Sequence, residues 1–145
     1  MHLLNYKNIC VFGIVETCQN ENIMSAELLF SDFIVHRSNR HYSRGGGLCF
    51  LVRKKLSSSI ENVICNPNIE LLHISLDNLK SKQVQLVLIY KPPASSLINF
   101  ISEFSTFLSN VNLLNLPFIF IGDFNHDLLK IIKQKDKLLR LLRSF

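Results

Sequence analysis

The stretch 118–127, FIFIGDFNHD, decides how the rest of the chain is read. Phe118 to Ile121 is a short apolar run, which reads as a buried strand. Gly122 then permits an unusual turn or the close approach of a ligand. If the backbone stays extended past it, Asp123 and Asn125 lie on one face, because residues i and i+2 of a strand do. A carboxylate beside an amide at the end of a buried strand suits ligand binding in an open α/β sheet. The same Asp-Phe-Asn also suits a polar loop closed by an Asx-turn.

Two other strands weigh on that choice. The run ICVFGIV from Ile9 to Val15 ends at Glu16, and VQLVLIY from Val84 ends in Tyr90. Three strands thus deliver an acid or a phenol where they stop, and such groups can converge on one site.

Further outward, a weaker strand is expected over Phe33–His36 and further strands over Leu48–Val52 and Leu71–Leu76, the last joined to Val84–Tyr90 by a polar hairpin loop, Asp77 to Gln83. Pro92-Pro93 ends that strand, since proline donates no ladder hydrogen bond. Ser95 or Ser96 then caps a helix. Its apolar stripe is Leu97, Ile101, Phe104, Phe107, Leu108 and Val111. A second amphipathic pattern runs from Leu128 to Leu142 with lysines between its apolar positions. The order of elements predicts a layered α/β domain with helices on sheets.

At 145 residues and 48% hydrophobic content, the chain suits one domain able to bury roughly 70% of its unfolded surface, and it is not disordered in composition. The net charge is +5 at pH 7. No acid occurs from Phe33 to Ile60, where Arg37, Arg40, Arg44, Arg53, Lys54 and Lys55 stand, and six more basic residues follow between Lys130 and Arg143. Such stretches point to an anionic partner, with nucleic acid first and an acidic membrane surface second, or to a plain solvated surface. Cys10, Cys18, Cys49 and Cys65 form no C-x-x-C pair. Free thiols, a reducing intracellular setting and no disulfide-linked partner are expected. There is no apolar run near the ~20 residues that span a bilayer, and no secretory pattern, so no membrane association is expected.

With V-E-T at Val15–Thr17, R-G-G-G at Arg44–Gly47, IELLHISL at Ile69–Leu76, VLIYKPP at Val87–Pro93 and IGDFNHD at Ile121–Asp127, the chain resembles the endonuclease/exonuclease/phosphatase superfamily. Within it, the order and spacing resemble the endonuclease domain of LINE-type non-LTR retrotransposons. The resemblance implies a single but incomplete domain over 1–145, a partial α/β sandwich of two mixed sheets flanked by helices. Such domains normally begin with a strand carrying an Asn and end with a Ser-Asp-His motif. They also carry Trp after E-T, where this chain has Cys18.

The resemblance further implies a DNA endonuclease that hydrolyses phosphodiester bonds with Mg²⁺ or Mn²⁺, weakened or inactive as this fragment. Glu16 would hold the cation. Tyr90 would hydrogen-bond the scissile phosphate or support the cation's shell. Asp123 would orient or deprotonate the attacking water, and Asn125 would hold Asp123 and the phosphate. Arg44 would contact the DNA phosphate backbone, although the glycines after it also make a tight turn. A nuclear location would follow from a retrotransposon origin. The rival readings are a catalytically dead remnant that binds nucleic acid through its basic segments, and a phosphoinositide or lipid phosphodiesterase of the same superfamily.

Overall fold

The computed structural model describes residues 9–18, 31–41, 45–77, 83–111, 116–125 and 140. They form β1 (Val11–Val15), β2 (Phe33–Ser38), β3 (Leu48–Arg53), β4 (Ser57–Cys65), β5 (Glu70–Asp77), β6 (Gln83–Tyr90), α1 (Leu97–Val111) and β7 (Phe118–Asp123). A three-stranded sheet runs β1-β3-β2 and a four-stranded sheet runs β4-β5-β6-β7. All pairs are antiparallel except β6 with β7, which is parallel. A parallel pair needs a crossover, and α1 supplies it.

β5 and β6 are buried on both faces, which is why they read as continuous apolar runs. Leu72, Ile74, Leu86, Leu88 and Tyr90 face the other sheet, where they meet Leu48, Phe50 and Val52 of β3. Leu71, Val87 and Ile89 face α1 and meet Phe100, Phe104 and Phe107. Every residue of the expected helical stripe is buried, together with Phe100. Ser96 caps the helix: its Oγ accepts the Asn99 amide at 3.2 Å. Fully burying one such large apolar side chain contributes about 1.5–3 kcal/mol, so the α1–sheet layer is a main source of stability.

The α/β class, the two sheets and the covering helix agree with the sequence reading. β4 was not foreseen. It is an edge strand, exposed over most of its length, with an irregularity between Ile60 and Asn62. An edge strand that packs on little needs no apolar alternation, and Ser57-Ser58-Ser59 supplies none. The Leu128–Leu142 pattern lies outside the described residues, apart from Arg140.

The described residues of the basic stretch do not form one patch. Lys54 and Lys55 are exposed in the turn after β3, and Arg53 lies over the Phe33 ring at 4.9 Å. Arg40 follows β2, beside the start of β3 and so at the opposite end of that pair from Arg53, and turns inward.

Candidate active site

β1 runs out at Glu16, whose backbone is left-handed (φ 54°). That conformation is uncommon for a residue with a side chain and persists only when its surroundings impose it. Here the glycine turn before β3 imposes it. The Thr17 amide donates to the Gly47 carbonyl at 3.2 Å, and the Cys18 amide donates to the Gly46 carbonyl at 2.8 Å. Gly47 has φ 86°, and a side chain on it would come within 2.6 Å of the Thr17 hydroxyl oxygen. Only glycine lets the two segments lie this close.

β6 ends in Tyr90, which is 2% exposed and packed between the sheets. Its hydroxyl donates a short hydrogen bond to Glu16 Oε1. Burial and then the Glu16 carboxylate push the phenol up to about 12, partly opposed by Arg40. The hydroxyl therefore stays protonated at neutral pH and acts as a donor. The Arg40 guanidinium stands 5.5 Å from the ring centroid.

β7 ends beside it. Tyr90 pairs with Asp123 in the parallel ladder, and the Lys91 amide donates to the Asp123 carbonyl at 2.9 Å. Cross-strand partners emerge on one face of a sheet, so Asp123 leaves on the side that Tyr90 occupies. Gly122 allows this approach, because a side chain there would overlap the carbonyl oxygen of Ile89.

Past Asp123 the extended geometry does not continue. Asn125 is left-handed (φ 41°), and its amide donates back to Asp123 Oδ1 at 2.8 Å. This is the Asx-turn that Asp-Phe-Asn also permitted, so Asp123 and Asn125 do not share a face by strand alternation. The turn nevertheless directs Asn125 inward: its Nδ2 donates to the Lys91 carbonyl at 2.8 Å. Lys91 itself is buried, its ammonium donates to the Pro92 carbonyl at 3.3 Å, and burial lowers its pKa.

The structure thus links Glu16, Tyr90, Asp123 and Asn125 through contacts at adjoining strand ends. Arg44 lies outside the described residues, as does His126. His73 is a buried strand residue whose Nε2 meets Gln85 Oε1 at 2.6 Å, on the face that carries α1. Sequence reasoning missed Glu70, which is 1% exposed. One of its carboxylate oxygens binds Arg40, and the other accepts the Gly47 amide at 2.7 Å. The available signal was an acid heading the apolar ELLHISLD strand.

Among the described residues no group of three or more His, Cys, Asp or Glu side chains is placed to enclose a metal. Glu16 and Asp123, both exposed, could supply carboxylate oxygens, and Asn125 a carbonyl oxygen. That donor set suits a hard, oxygen-preferring cation that keeps several waters and takes the rest of its shell from a phosphate. It does not suit a nitrogen- and sulfur-bound zinc. No helix among the described residues is long and apolar enough to cross a membrane.

No protein-family profile and no curated protein sequence matches the chain. Solved structures do match its fold. The truncated TDP2 of Caenorhabditis elegans superposes with a TM-score of 0.66 at 15% identity, over 91% of this chain and 55% of that one. A second TDP2 structure from C. elegans gives 0.65 at 15% identity, over 91% and 43%. The chain spans about half the length of these structures. The likeness is one of fold: a partial endonuclease/exonuclease/phosphatase-type sandwich.

Proposed function

We propose that the chain, as one domain, is a divalent-cation-dependent phosphodiesterase acting on DNA. The observation that carries this reading is the hydrogen bond from Tyr90 to Glu16 with Asp123 in register beside Tyr90. Glu16, the carboxylate proposed for the cation, meets the phenol, and Asp123, the carboxylate proposed for the water, is its neighbour in the ladder. The fold shared with TDP2, a tyrosyl-DNA phosphodiesterase, supports the phosphodiester class of substrate.

When bound, Mg²⁺ or Mn²⁺ would offset charge on the phosphate oxygens and polarise the phosphorus centre. Glu16 would hold it. Tyr90 has one hydroxyl proton and commits it to Glu16, which favours its supporting role over direct contact with the scissile phosphate. Asp123 would orient a water and take its proton as the new bond to phosphorus forms and the sugar oxygen departs, a contribution of about 10²- to 10⁴-fold. Asn125 fixes the Asp123 carboxylate through its own amide.

The finer assignment, a nicking endonuclease of a LINE-type retrotransposon, is supported by the order of E-T, R-G-G-G, Y-K-P-P and G-D-F-N along the chain. The test is incubation with supercoiled plasmid and Mg²⁺ or Mn²⁺. Nicking by the wild type and its loss in Asp123→Ala are expected. Nicking that survives this substitution would remove Asp123 from the site. Salt-dependent DNA binding without any nicking would instead favour the non-catalytic reading.

A further inference from the structure

Glu70 and Arg40 are charged, buried and unused by the proposed reaction. Taking such a pair out of water is costly, and apolar residues of similar volume often serve stability as well. What this pair does differently is visible in its contacts. Glu70 gives one oxygen to Arg40 and the other to the Gly47 amide. Gly47 and Gly46 in turn receive the Thr17 and Cys18 amides, the two residues that follow Glu16. Arg40 lies over the Tyr90 ring, and Tyr90 donates to Glu16. Glu70 therefore reaches Glu16 along two routes, one through backbone and one through side chains. Both end on a residue whose left-handed φ needs outside support.

We infer that Glu70, acting with Arg40, is the positioning residue that holds the Glu16 carboxylate ready for a hard cation. This rests on the proposed function only in taking Glu16 as the cation's ligand. Groups behind a metal ligand typically matter by about 10- to 100-fold in affinity.

Cation binding can be read without catalysis. The chain has three tyrosines and no tryptophan, so Tb³⁺ bound beside Tyr90 is sensitised by tyrosine excitation. Wild-type protein should show this luminescence, and Glu16→Gln should lose it. Glu70→Gln keeps an acceptor for Gly47 but removes the charge facing Arg40, and should weaken Tb³⁺ by about tenfold or more. Arg40→Lys keeps the charge but loses the planar fork. It should also weaken Tb³⁺, with circular dichroism and thermal melting close to wild type, and it decides the matter if Glu70→Gln does not fold. If the folded Arg40→Lys variant binds Tb³⁺ as wild type does while Glu16→Gln does not, the positioning role is wrong and the proposed function stands. If Glu16→Gln binds as tightly as wild type, or wild type gives no signal, the cation site at Glu16 falls and this inference falls with it.

Discussion

Tyr90 and Asp123 are partners in the parallel ladder between β6 and β7, the last pair before both strands end. The pairing sets the backbones of these two residues side by side at the interval of a β-sheet, about 4.8 Å between strands. Glu16 then reaches Tyr90 from the other sheet.

Removing only the hydroxyl separates its chemistry from its packing. Tyr90→Phe keeps the buried ring and deletes the donor to Glu16. Plasmid nicking should fall by about 10- to 100-fold, the range seen when support behind a metal ligand is lost. Melting should shift little, since a net hydrogen bond is worth about 1 kcal/mol.

The glycine turn is open to an equally small change. Gly47→Ala adds a methyl group at φ 86° and against the Thr17 hydroxyl. It should destabilise by at least the ~1 kcal/mol that left-handed backbone costs an ordinary residue. It should also weaken nicking, because the Thr17 and Cys18 amides bond to this turn. Chemical denaturation and the plasmid assay check the two parts.

In the core, Phe104 is 0% exposed, stacks against Phe100 and Phe107 and makes a T-shaped contact with Phe120. Phe104→Ala should cost about 3–5 kcal/mol in a denaturant titration.

Stability should decline at both extremes of pH. Tyr90 is raised from 10.0 to about 12, so the folded state holds its proton more tightly than the unfolded state. That contribution is complete below pH 10.0 and is lost as pH rises toward 12. His36 and His73 are lowered from 6.5 by burial, so the unfolded state binds their protons more readily. Their contribution is present above pH 6.5 and fades as pH falls below it. Melting temperature measured across pH should show both slopes, and the alkaline one should shrink in Tyr90→Phe.

The parts of this architecture that bury apolar surface were legible in the sequence. β5, β6 and the α1 stripe announce themselves because a two-sided core requires apolar runs and a one-sided helix requires 3.6-residue spacing. β7 was legible as an apolar run, but it is not the buried strand expected, since Phe118 and Phe120 pack toward α1 while Ile119 and Ile121 are exposed. β4 carries no such signal, since an edge strand satisfies its ladder on one side and exposes the rest. At the candidate site, Glu16, Tyr90, Asp123 and Asn125 stand out as polar groups ending apolar runs. Their contacts were not legible, because Glu16 and Tyr90 meet across 74 residues and the Asp123–Tyr90 register depends on a crossover. The bend at Asn125 is a local choice between extension and an Asx-turn that the sequence leaves open. Glu70 stayed hidden because its partner Arg40 lies 30 residues earlier in a stretch that reads as ordinary basic surface.

The two sheets divide the proposed catalytic apparatus between them, with Glu16 on the end of one and Tyr90 and Asp123 on the end of the other. Neither half can assemble a competent centre by itself. Slippage of one layer over the other by a few ångströms would silence turnover while each layer kept its own ladder intact. Activity should therefore fade before circular dichroism does under mild denaturant, making turnover the more sensitive gauge of whether the halves are docked.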